Sequence, residues 1–224
     1  MKTKSKAILA VIIAILVISV SLVVVFSENV APPSDDNKLA RVACLGDSIT
    51  QLTGYPEDLQ TLLGNNSIVG NYGVSGSTVN FNSDDPYFYE LAFRHALAFE
   101  PTTVIIMLGT NDARTDNYQK ISSFVSNYEK IITRVQALSS KPQIFLVLPP
   151  PIFNNTLDLN STSFVDGVIP RIIQVANALN VPIINVYTPL INQSQYFSDG
   201  VHPDGEGAQV IANIVYNSIK SDST

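Results

Sequence analysis

Residues 104–112 read VIIMLGTND. Five consecutive apolar residues, three of them β-branched, leave no polar face and are too few for a core helix, so Val104–Leu108 reads as a strand. A strand that is apolar on both faces must be covered on both sides, which is the situation of a central strand in a parallel sheet. Gly109 lets the chain turn. Thr110, Asn111 and Asp112 are then set at the carboxyl end of that strand, where open α/β sheets form their sites.

The same grammar repeats outward from this stretch. Arg41–Leu45, Ser67–Tyr72, Ile144–Leu148 and Ile183–Val186 read as further strands. Residues 56–63 read as a helix with Pro56 near its start and Gly64 just past its end. Residues 88–99 and 164–179 also read as helices, and a last one runs from Pro203 or Gly205 to Ile219. Ile121, Phe124, Val125, Tyr128, Ile131, Ile132, Val135 and Leu138 fall at offsets 0, 3, 4, 7, 10, 11, 14 and 17, one face of an amphipathic helix. Strand and helix alternate five times. The expected fold is therefore an α/β domain, a parallel sheet with helices on both faces.

The chain has 224 residues, one cysteine and 14% charged residues, which excludes a disulfide-built miniprotein and a disordered chain. Its mean hydropathy of +0.20 comes from the front, where Ala7–Phe26 is apolar except for Ser19 and Ser21. Lys2, Lys4 and Lys6 precede this run and Glu28, Asp35 and Asp36 follow it. At about 20 residues the run is long enough to cross a bilayer. We read residues 1–26 as an uncleaved membrane anchor with the lysines cytoplasmic, the alternative being a cleaved signal segment. Both place the domain outside the cytoplasm. Residues 27–38, SENVAPPSDDNK, read as a linker, and residues 39–224 as the domain. Three of the thirteen basic residues precede the run, so ten face nineteen acidic ones after it, a net of −9. With no basic stripe, a nucleic-acid partner is excluded. Cys44, in RVACLG, reads as a packing residue of a buried strand.

The polar residues at the strand ends carry the chemistry. Gly46-Asp47-Ser48-Ile49-Thr50 presents a serine that is either a helix cap or a nucleophile needing a base. The pentapeptide lacks the last glycine of G-x-S-x-G, so a nucleophile elbow is a poor match. Gly76, in Gly73-Val74-Ser75-Gly76-Ser77, can offer an unobstructed N–H to an oxyanion, and no lysine follows to make a phosphate-binding P-loop. The Asn111 amide reads as a second donor or a turn cap. His95 lies mid-helix and reads as a packing or surface residue. His202 follows Asp199 by three residues, close enough for the carboxylate to orient the imidazole while the other ring nitrogen faces outward. No second histidine or cysteine joins them, so no metal site is expected.

In this order, GDS after the first strand, Gly76 in the second loop, GTND after the third strand and DGVHP before the last helix resemble the SGNH, or GDSL, hydrolase family across residues 41–219. One departure is Ile49, where the family name has leucine. The resemblance implies a flavodoxin-like three-layer α/β/α sandwich with a five-stranded parallel sheet. It implies Ser48, His202 and Asp199 as a catalytic triad and Ser48, Gly76 and Asn111 as the oxyanion hole, with Asp47 bracing the turn and no metal or cofactor. LGDSIT, NYGVSG and VIIMLGTNDA look most like the carbohydrate O-acetylesterase branch, which includes sialate O-acetylesterase-like proteins. The function expected is an extracytoplasmic esterase removing small acyl groups, acetyl above all, from carbohydrate. A lysophospholipase or thioesterase is the alternative, with Phe153, Leu157 and Phe164 lining an acyl trough, and a catalytically silent surface-binding module is a third reading.

Overall fold

The computed structural model describes residues 39–221. Five strands, β1 (Ala40–Gly46), β2 (Ser67–Gly73), β3 (Thr103–Met107), β4 (Gln143–Leu148) and β5 (Ile183–Asn185), form one sheet in the order β2-β1-β3-β4-β5. Every neighbouring pair is parallel. Each crossover carries a helix, since parallel neighbours cannot be joined by a tight hairpin.

The period-2 geometry of the strands sorts their side chains into two apolar layers. Ala43, Leu45, Val104, Ile106, Ile144 and Leu146 point to one face. There they meet Phe93 of α3 (Leu91–Ala98), Tyr128, Ile131 and Val135 of α4 (Phe124–Gln136), and Ile172 and Val175 of α5 (Ile169–Leu179). Val42, Cys44, Ile105, Met107, Phe145 and Val147 point to the other. They meet Tyr55 and Leu59 of α2 (Tyr55–Leu63), and Ile211 and Val215 of α6 (Gly205–Ser221). Both faces of β1, β3 and β4 are thus buried, and the fold is the three-layer α/β/α sandwich. Emptying one fully buried ring, as in Phe145→Ala, removes roughly 3–5 kcal/mol.

The helices begin later than the apolar periodicity implies. A 3-10 turn at Tyr87–Tyr89 precedes α3, another at Ile121–Ser123 precedes α4, and a π-helical turn at Phe164–Val168 leads into α5. Tyr87 and Phe164 are buried in these turns, so the apolar pattern continues while the backbone pitch changes.

Among the described residues no helix is long and apolar enough to cross a membrane. The longest, α6, has 17 residues. Its Gln209 and Asn213 are polar while Ala208 and Ile211 face the core, so it is committed to the sandwich. The expectation of a single membrane segment is corrected on this finding. The run at residues 7–26 and the linker at residues 27–38 lie outside the described residues.

Reversal of strand order occurs between β1 and β3, which lead to helices on opposite faces of the sheet. A crevice opens at their carboxyl ends, the usual ligand position in such sheets. Gly46-Asp47-Ser48 and Gly109-Thr110-Asn111 leave the sheet at this point.

Candidate active site

Ser48 is the first residue of a short helix, α1 (Ser48–Leu52), that starts directly after β1. Gly46 permits this tight junction, because a Cβ there would collide with the Thr50 hydroxyl and the Met107 carbonyl. Asp47 caps α1: its Oδ1 accepts the Ile49 N–H at 3.0 Å. Burial pushes the Asp47 carboxyl up to about 6, against the favourable effect of that hydrogen bond. Ser48 is 8% exposed. As the first helical residue, its N–H has no acceptor one turn back.

His202 and Asp199 come from the turn that precedes α6. The Gly200 N–H donates to the Phe197 carbonyl at 3.0 Å, and Gly200 takes a φ of +82° with a Cβ position blocked by the Asn154 carbonyl. Glycine alone suits this place. Asp199 Oδ1 accepts the N–H groups of Val201 (2.9 Å) and His202 (2.8 Å). Its other oxygen lies 2.6 Å from His202 Nδ1, and His202 Nε2 lies 2.8 Å from Ser48 Oγ. A carboxylate only accepts, so Nδ1 carries the ring proton and Nε2 presents a lone pair to the serine hydroxyl. Partial burial raises the Asp199 pKa, but the bonds from the His202 ring and from the two N–H groups outweigh it and hold the carboxyl below the usual range.

Gly76 faces the same crevice from the loop after β2. It lies in a turn closed by the Ser77 N–H on the Val74 carbonyl at 3.2 Å, with a φ of +82°. Asn111 enters from the 3-10 turn after β3 (Asn111–Ala113). One N–H of its amide donates to the Ser77 carbonyl at 3.0 Å, which leaves the second to point elsewhere. Ser48, Gly76, Asn111 and His202 all line one cleft of about 340 Å³.

The cleft wall also brings Leu52, Arg114 and Leu159, which sequence reasoning did not single out. Arg114 lines it and is held by a two-point ion pair with Asp116 at 2.8 and 3.1 Å. An isolated antiparallel bridge between Arg114 and Leu159 pins the loop after β4 against this segment, carrying Leu157 and Leu159 into the cleft. Leu52, 66% exposed, and Leu157, 43% exposed, stand at its rim. Phe153 and Phe164 do not reach the cleft: Phe153 stacks on Phe197 at 5.0 Å, and Phe164 is buried against Tyr187 at 6.1 Å. Of the three residues expected to line an acyl trough, only Leu157 lines the cleft, because Phe164 is buried in the core and the half-buried Phe153 packs on Phe197. His95 is exposed on α3, away from the cleft. Cys44 is buried in β1, where burial pushes its thiol up to about 12, so it packs and does not react.

Residues 44–210 match the family described as GDSL-like Lipase/Acylhydrolase. The chain belongs to the GDSL-like lipase/acylhydrolase family. This GDSL-family chain is 33% identical over 219 residues to an acetylxylan esterase of Xylanibacter ruminicola, covering 86% of this chain and 45% of the relative. It is 20% identical to a GDSL esterase/lipase of Arabidopsis thaliana, CPRD49, over 55% of this chain and 56% of that protein. The chain spans about half the length of the curated relatives it matches. Among solved structures, a carbohydrate acetylesterase of Sinorhizobium meliloti, Est24, shares the fold with a TM-score of 0.65 at 16% identity, covering 81% of this chain and 99% of that one.

Proposed function

We propose that this chain is a serine esterase that removes acetyl groups from carbohydrate, with Ser48, His202 and Asp199 as its triad. The observation that carries the reading is the unbroken hydrogen-bond chain from Ser48 Oγ through His202 to Asp199, with spans of 2.8 and 2.6 Å. A serine hydroxyl becomes a nucleophile when a base takes its proton as it attacks, and the His202 Nε2 lone pair is in hydrogen-bond contact with that proton. Asp199 keeps the productive tautomer and stabilises the imidazolium formed.

In the first step Ser48 Oγ bonds to the ester carbonyl carbon and its proton passes to His202. The carbonyl oxygen becomes an oxyanion facing the N–H groups of Ser48 and Gly76 and the free N–H of the Asn111 amide. Each such donor contributes about 2.7–4 kcal/mol to lowering the barrier. His202 then returns the proton to the leaving alcohol as the C–O bond breaks. Water, deprotonated by the same ring, then adds to the acetyl carbon, the bond to Ser48 Oγ breaks as His202 returns the proton to that oxygen, and acetate leaves.

The choice of acetyl and carbohydrate is supported by the acetylxylan esterase relative and by the modest cleft volume. The lysine-led apolar run at residues 7–26 supports a site of action outside the cytoplasm, where polymeric glycans occur. Leu52, Leu157, Leu159 and Val201 along the cleft favour a second reading, hydrolysis of longer acyl esters or thioesters. Initial rates of the 224-residue chain on 4-nitrophenyl esters from acetate to laurate separate the two. A peak at acetate that vanishes in Ser48→Ala is the expected result, and a Ser48-dependent peak at long chains favours the second reading.

A further inference from the structure

The three N–H donors that face the cleft come from three separate segments: α1, the loop after β2, and the turn after β3. Their mutual placement needs an explanation. Gly76 cannot supply it, because it has no side chain, and the nearest atom to where its Cβ would sit is Asp85 Oδ2 at 3.7 Å. Apart from that atom, the space where a Gly76 side chain would stand is open. A backbone N–H in that situation is located by the hydrogen bonds of its neighbours.

Those bonds run to the two other donor segments. On one side, Gln51 Oε1 accepts both the N–H (2.8 Å) and the hydroxyl (2.6 Å) of Ser75. Gln51 lies three residues after Ser48 on the same helical segment, so this acceptor ties the residue before Gly76 to the element of the nucleophile. On the other side, Asp112 Oδ2 accepts the Val79 N–H at 2.8 Å and Oδ1 accepts the Asn80 N–H at 3.0 Å. Asp112 is fully buried and follows Asn111 directly. Asn111 itself holds the Ser77 carbonyl, the residue after Gly76, at 3.0 Å.

We propose that Gln51 and Asp112 are positioning residues that clamp the Gly76 turn from both sides and so set its N–H against those of Ser48 and Asn111. The proposal rests on the reading of Gly76 as an oxyanion donor. Neither residue touches the reacting atoms. Their effect is on geometry, where a misplacement of about 1 Å can cost about 10²-fold in rate. Gln51 is the more informative of the two, because it is exposed and its removal leaves the buried core intact.

The test uses the full chain and 4-nitrophenyl acetate. Gln51→Leu removes the acceptor and is expected to lower kcat about 10- to 100-fold with KM within about twofold of wild type. Gln51→Glu keeps an acceptor for the Ser75 N–H and hydroxyl, and is expected to restore kcat to within about threefold. Asp112→Asn replaces one accepting oxygen by an amide that faces an N–H, and is expected to lower kcat with the same KM pattern. If it does not fold, the two Gln51 variants carry the test alone. Ser48→Ala and Asn111→Ala, measured alongside, report on the reading beneath. If both lose activity while Gln51→Leu keeps wild-type kcat, the clamp is overturned and the oxyanion reading stands. A raised KM at unchanged kcat in Gln51→Leu also overturns it, in favour of direct substrate contact. If Ser48→Ala or Asn111→Ala keeps wild-type rates, the oxyanion reading fails and the clamp falls with it.

Discussion

The His202 ring nitrogen Nε2 lies 2.8 Å from the Ser48 hydroxyl oxygen, although the two residues stand 154 positions apart. Ser48 is fixed by β1 and the Asp47 cap, and His202 by the Gly200 turn and the start of α6. Hydrogen bonds of the fold hold both anchors, so the contact is built into the fold. His202→Ala is expected to lower kcat roughly 10⁴-fold or more on 4-nitrophenyl acetate. Adding Ser48→Ala to that variant is expected to cost little more, since the two residues act as one unit. Steady-state rates of both single variants and the double variant check this.

Asp199 is expected to matter less. Its side chain is 45% exposed, so water can reach the His202 Nδ1–H when the carboxylate is gone. Asp199→Ala is expected to lower kcat about 10- to 100-fold, between wild type and His202→Ala. The lowered pKa of Asp199 also has a stability consequence of definite sign. Its contribution is present above the unfolded-state value and is lost as pH falls through the folded-state value. The effect is small at this exposure.

Asn111 has two tasks in this account, one N–H for the Ser77 carbonyl and one for the oxyanion. Asn111→Ala removes both, and kcat is expected to fall about 10²–10³-fold. Asn111→Asp keeps the size but supplies no N–H in its ionised form and sets a carboxylate against the Ser77 carbonyl. It is expected to be no more active than the alanine variant. Burst kinetics on an activated ester check that acylation is the step affected.

Asp112 gives the protein a pH-dependent stability of opposite sign to that of Asp199. Burial pushes its carboxyl up to about 7, against the bonds from Val79 and Asn80. Between about 4 and about 7 the folded chain therefore holds a proton that the unfolded chain releases, and stability from this group falls as pH rises through that window. Asp112→Asn loses hydrogen bonds at every pH but also loses this slope. Thermal melts of the two proteins from pH 4 to 7 are expected to draw closer as pH rises.

Much of this architecture is legible in the chain. Val104–Leu108 reads as a doubly covered strand, and β3 lies at the centre of the sheet. The spacing from Ile121 to Leu138 reads as the face that α4 buries. Ser48, Gly76, Asn111, Asp199 and His202 stand out because each is a polar or glycine residue at the end of a strand or the start of a helix. Gln51 and Asp112 do not stand out, because their partners lie 24 and 33 or 32 positions away and no local pattern encodes such pairings. Asp112 reads locally as a turn residue, yet it is fully buried with two N–H partners. Phe153 and Phe164 mislead for the complementary reason. An aromatic ring beside a long loop suits a trough or a core equally, and only the packing against Phe197 and Tyr187 decides.

The central claim is that Ser48 carries the acyl group. The most direct measurement is acetate release from 4-nitrophenyl acetate by the full chain beside its Ser48→Ala variant, at matched concentration and with both confirmed folded by circular dichroism. Release by the wild type and none above background by the variant is the expected result. Equal release by the two would contradict the account and move the nucleophile away from Ser48.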